Sequence, residues 1–100
     1  MTKHIVFWKF KDTADGHTKE ENLQEAKRLL EGMQGKIPGL LKTEVGINVN
    51  STPQALDLAL YSEFDSMNTL QIYQDHPEHV KVKEFLQKVR TDRWVVDYEV

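Results

Sequence analysis

The amino-acid sequence predicts an α+β domain of ferredoxin-like order, β-α-β-β-α-α-β, with a four-stranded antiparallel sheet covered by helices on one face. Three observations carry the prediction. Lys3 to Phe10 alternates tightly, with His4, Val6, Trp8 and Phe10 on one side and Ile5 and Phe7 on the other, which is the period of a strand. Leu23, Ala26, Leu30, Met33 and Ile37 recur at spacings of three and four, the period of a helix. Two strand–helix–strand halves are then joined by a hairpin between their inner strands, the arrangement of this fold class.

The elements follow in order. After the first strand, K-D-T-A-D-G-H is a loop by composition. Thr18 with Glu21 three residues on forms a capping box at a helix start. Gly35 is a stop signal, and I-P-G beyond it turns the chain. Thr43, Val45, Ile47 and Val49 alternate as a second strand, and N-V-N-S-T-P leads to a third over Ala55 to Phe64. Asp65 or Ser66 caps a short helix carrying Leu70 and Tyr73. Pro77 ends that helix, because the residue before a proline resists the helical region, and it opens the next as its first residue. His79, Val82, Leu86 and Val89, joined by Phe85, make the third helix's apolar stripe. Arg93 to Glu99 alternates Trp94, Val96 and Tyr98 against Val95 and Asp97 as a fourth strand.

A chain of 100 residues predicts a single domain over 1–100. With 29% charged and 39% apolar residues and a net charge of -3, it is globular in composition and its cations are scattered among acids; nucleic acid is not an expected partner. Trp8 and Trp94 lack the basic surroundings of a stacking platform and are expected to pack in the core. There is no cysteine, which excludes disulfides and thiolate chemistry and fits a reducing compartment. No run approaches the ~20 apolar residues of a membrane span, and a cytoplasmic location is the expectation. No phosphate loop, nucleophile elbow or paired-carboxylate spacing is present, and no cofactor is expected.

The sheet's other face is more informative. Ile5 and Phe7 on the first strand, with Ala59 and Tyr61 on the third, are too apolar for water. Two-fold pairing of sheet faces answers this most simply, so a homodimer is expected.

The stretch Y-Q-D-H-P-E-H-V-K-V, Tyr73 to Val82, gathers a tyrosine and two histidines around one proline. His79 sits on the third helix's apolar stripe and so points at the sheet. It is either a packing histidine bonded to a backbone carbonyl or a general base, which its ordinary pKa near 6.5 allows. Tyr73 is either an amphipathic cover or a donor to a substrate carbonyl. On one continuous helix, six residues turn about 600° and misalign the pair; convergence depends on the bend at Pro77. His4 can sit opposite His79, beside Val6 and Trp8 as pocket lining. His76 is expected as a helix N-cap and His17 as solvent-facing. His76 and His79 are three apart rather than four, too few and ill spaced for a zinc site, so no metal is expected.

The segments K-H-I-V-F-W-K-F, K-I-P-G-L, D-L-A-L-Y-S-E-F-D-S, the histidine stretch and V-V-D-Y-E resemble the stress-responsive A/B barrel domain family, from Lys3 to Glu99. The resemblance implies a dimeric α+β barrel with two ferredoxin-like sheets packed face to face. Most members have no assigned reaction, and one plant polyketide cyclase is similar in architecture. By that likeness the catalytic tyrosine and histidine fall on Tyr73 and His79, and a pocket-lining histidine on His4. Trp8 is bulkier than the aliphatic residue expected beside His4, which works against a long acyl tail. Two functions stand side by side: a pocket in which His79 and Tyr73 act on a small carbonyl compound, or a non-catalytic stress-associated homodimer whose pocket is filled by its own side chains, Trp8 above all.

Overall fold

The computed structural model describes residues 1–100. Its elements are β1 (Thr2–Phe10), β2 (Thr13–Ala14), β3 (His17–Thr18), α1 (Lys19–Glu31), β4 (Leu40–Ile47), β5 (Leu58–Phe64), α2 (Met67–Asp75), α3 (Pro77–Val89) and β6 (Arg90–Glu99). The four long strands form one antiparallel sheet in the order β4-β5-β1-β6. This is the ferredoxin-like architecture that the sequence predicts, with the three helices packed on one face.

The alternation of β1 sets the layers. Val6, Trp8 and Phe10 are buried under the helices with Leu58, Leu60 and Phe64 of β5, meeting Leu23, Ala26 and Leu30 of α1 and Val82, Leu86 and Val89 of α3. Helix starts are capped as the sequence indicates. Thr18 and Glu21 form a reciprocal capping box, and Ser66 rather than Asp65 caps α2, with Thr69. His76 caps α3, its Nδ1 accepting from the Glu78 amide at 3.2 Å, while Pro77 takes the first helical position.

Element boundaries differ from expectation where loops carry their own chemistry. The K-D-T-A-D-G-H segment is not all loop: Thr13–Ala14 pairs with His17–Thr18 across Asp15 and Gly16, both at positive φ, as an Asp-Gly hairpin turn requires. Helix α1 stops at Glu31, and Met33 and Ile37 stay buried in the turns that follow. The second long strand begins at Leu40 and ends at Ile47, leaving Val49 fully exposed. The third begins only at Leu58, because Asp57 serves as an anchor: its carboxylate accepts from the Phe10 amide at 2.7 Å and its amide donates to the Trp8 carbonyl at 2.8 Å. The fourth starts early, at Arg90, with no loop after α3.

The far face of the sheet is bare. Phe7, Trp94, Val96 and Tyr98 are all exposed there, Trp94 to 61%. Trp94 is therefore not a core residue as expected: β6 pairs Phe7 with Trp94, which puts its ring opposite the helices. Trp8, one position along β1, is buried.

Candidate functional site

The helices cover β4, β5 and β1 more fully than the edge strand β6, and the uncovered margin opens into a cavity of about 260 Å³ between α3 and the β1–β6 edge. Its floor is apolar and buried, built from Val6, Trp8, Leu30, Leu60 and Leu86. Its polar wall carries His4, Gln74 and His79, and its rim carries Lys83, Gln87, Arg90 and Arg93. Trp8 lines this space without filling it.

Register explains His4. In β1 it lies directly opposite Asp97 of β6 and Ser62 of β5, and facing residues of antiparallel strands share a side of the sheet. Its Nδ1 donates to Asp97 Oδ1 at 2.5 Å, which leaves Nε2 as the other, acceptor nitrogen. Burial lowers the pKa of His4, while the Asp97 carboxylate pulls it back up.

The break at Pro77 explains His79. It carries α3 away from α2 so that the His79 ring lies over that of Tyr73, centroids 3.9 Å apart and planes inclined 29°. The expected convergence across the proline is therefore present. The His79 Nδ1 donates to the Gln74 carbonyl at 3.4 Å, and Lys83 Nζ reaches the same oxygen at 3.2 Å. A carbonyl only accepts, so the proton sits on Nδ1 and Nε2 keeps its lone pair. Burial, then the nearby charges of Lys83, His4 and Arg93, lower the pKa of His79 to about 4, and the ring is neutral at pH 7.

Tyr73 is placed differently from expectation. It is 1% exposed and lies beneath His79, edge-on to His4 at 6.1 Å and packed on Phe64 at 5.0 Å. It is not among the side chains lining the cavity. Burial raises its pKa, so the phenol stays protonated. Its ring fixes the plane of the imidazole, and the geometry gives no contact between Tyr73 and the cavity. Val6, Trp8, His4 and His79 do line it. His17 is exposed and paired loosely with Glu21 at 3.7 Å, away from the cavity.

Asp97, Lys83, Arg90 and Arg93 went unnoticed in the sequence. One signal was there for two of them: an alternation that places Trp94, Val96 and Tyr98 on the bare face must place Arg93, Val95 and Asp97 on the side of His4 and Trp8. Lys83 carries no such signal, since a lysine beside Glu84 on a helix reads as solvated.

Fold and cavity together define a ferredoxin-like α+β domain with a small pocket against the sheet, lined by two histidines. A family profile described as Stress responsive A/B Barrel Domain matches residues 2–100, and the chain belongs to that family. No curated protein matches it significantly. Among solved structures, a dimeric protein of unknown function and ferredoxin-like fold from Bacteroides fragilis is 36% identical, with a TM-score of 0.84 over 99% of this chain and 95% of that one. A dimeric ferredoxin-like protein of unknown function from Thermobifida fusca is 21% identical, TM-score 0.85, over 99% and 90%. The hydroxynitrile lyase of Passiflora edulis is 18% identical, TM-score 0.77, over 97% and 90%, a likeness of fold alone. No helix is long and apolar enough to cross a membrane.

Proposed function

We propose that the protein binds a small carbonyl compound in the cavity between α3 and the β1–β6 edge, and that His79 acts on it as a general base. The observation that carries the reading is the neutral, buried His79 facing an open space of about 260 Å³. A small-molecule site is typically such a concave, largely apolar pocket with a few convergent polar groups. In the reaction, His79 Nε2 takes a proton from the carbon beside the carbonyl, and the C–H electron pair passes into the enolate. The His4–Asp97 pair supplies a second hydrogen-bonding nitrogen on the same wall, and Tyr73 positions the His79 ring. The sequence-level role of Tyr73 as a carbonyl donor gets no support from its placement.

Exchange of the acidic protons of a 1,3-diketone such as benzoylacetone in D2O, followed by proton NMR, tests the reading. The protein should speed exchange over buffer of the same pH, and His79→Gln should abolish the gain while keeping the fold. Unchanged catalysis in His79→Gln, or none by the parent, overturns it. The same proposal includes a homodimer through the bare sheet faces, supported by the exposed Phe7, Trp94, Val96 and Tyr98 and by the dimeric state of similar structures.

A further inference from the structure

We infer that the ligand of this cavity carries an anionic group, a carboxylate or a phosphate ester, held at the rim by Lys83, Arg90 and Arg93 with its apolar body on Val6, Trp8 and Leu86. This deepens the reading that the cavity takes a small carbonyl compound and rests on it.

The chain as a whole has 16 acids against 13 lysines and arginines, yet the cavity is lined by three of those cations and no carboxylate. The three come from two elements, Lys83 from α3 and Arg90 and Arg93 from β6, so helical or strand periodicity on one element does not account for their meeting. None of them belongs to an ion pair, although this chain pairs other cations, such as Lys27 with Glu31 and Arg28 with Glu25. Asp97, the acid on the same face of β6, is taken by His4. Burial, then the like charge of Arg90, lowers the pKa of Arg93, with Asp97 acting in the opposite direction. Such a cluster is relieved by an anion from outside the chain.

The chemistry of the three matches an oxyanion. A guanidinium presents parallel donors that fit a carboxylate or phosphate bidentately, and a lysine ammonium adds a compact charge. The division of the cavity into a buried apolar floor and a cationic rim orients the ligand with its charge outward. It also places the charge beside Lys83 and Arg93, two of the groups that lower the pKa of His79. An anion there offsets their effect and makes His79 a stronger base once the ligand is seated.

Calorimetry and NMR with benzoate, phenyl phosphate and the neutral ester methyl benzoate test the inference. One or both anions should bind about tenfold or more tighter than the ester, as expected for a charged hydrogen-bonded contact; their ranking tells carboxylate from phosphate. Added salt should weaken the anions and leave the ester unaffected. Arg93→Gln and Lys83→Gln, both at partly or fully exposed positions, should each remove most of the preference while melting like the parent. Ester and anion binding alike, or an anion preference that survives both substitutions, overturns the inference and leaves the carbonyl reading standing. If none of the three probes binds but diketone exchange still depends on His79, the anionic rim fails alone. If exchange is absent as well, both readings fall together.

Discussion

Acidifying the protein should destabilise it through His79. The ring is held neutral, with a folded pKa of about 4 against an ordinary 6.5. Between those values the unfolded chain binds a proton that the folded chain does not, so stability falls as pH drops through that window. From pH 7.5 to 4.5 the loss from this one group is about 2.5 kcal/mol without screening. Water in the cavity and at its rim reduces that to ~1–2 kcal/mol. Carboxylates and His4 titrate too, so the quantity to measure is the difference between the parent and His79→Gln. Urea unfolding at fixed protein concentration, stepped from pH 7.5 to 4.5, should show the parent losing ~1–2 kcal/mol more than the variant. That corresponds to an extra midpoint shift of about 1 M. Superimposable pH profiles would refute the reasoning, as would an NMR titration of His79 with its midpoint at or above 6.5.

Three further outcomes follow from particular contacts. Gly39 sits at φ +85, and a Cβ there would lie 2.6 Å from Thr69 Cγ2 and 2.7 Å from its Cβ; Gly39→Ala should cost about 2–4 kcal/mol in thermal or urea unfolding, and a neutral result would contradict the geometry. Asp97→Asn removes the carboxylate that raises the pKa of His4; an NMR titration should show the His4 midpoint moving further down, and no movement would show that the bond is absent in solution. Trp94→Lys places a charge on the bare sheet face and should yield a folded chain of monomeric mass by light scattering at micromolar concentration, whereas a retained dimer would rule out pairing through that face.

The layers of the fold were legible because alternation and helical spacing each have one physical reading. His4, Val6 and Trp8 had to share a side of β1, and Thr18, Asp65 or Ser66, and Pro77 announced where helices begin. Boundaries were less legible where a residue served as an anchor, as Asp57 does, or where a two-residue turn made a small hairpin at Asp15 and Gly16. In the cavity, His4, Val6, Trp8 and His79 could be named because an apolar stripe and a strand face both point inward. Depth was not legible: the sequence puts Tyr73 and His79 near each other across a proline but not one on top of the other. Nor was pairing between distant strands. Asp97 meets His4 only through the register of β1 with β6, and Arg93 reaches the rim by the same register. Loose charges on a strand edge look alike in sequence whether or not a cavity lies beside them.

The immediate passage from α3 to β6 at Val89–Arg90 joins the cavity side of the sheet to its bare face. Along β6, Arg93 at the cavity rim and Trp94 on the bare face are adjacent residues on opposite sides of one ribbon. A strand cannot shift one of them without shifting the other, and the ribbon is continuous with the helix that bears Lys83 and His79. Under the proposed reading, a second subunit resting against Trp94 would press on the same ribbon that carries the cavity rim, so subunit association and ligand binding would meet one residue apart.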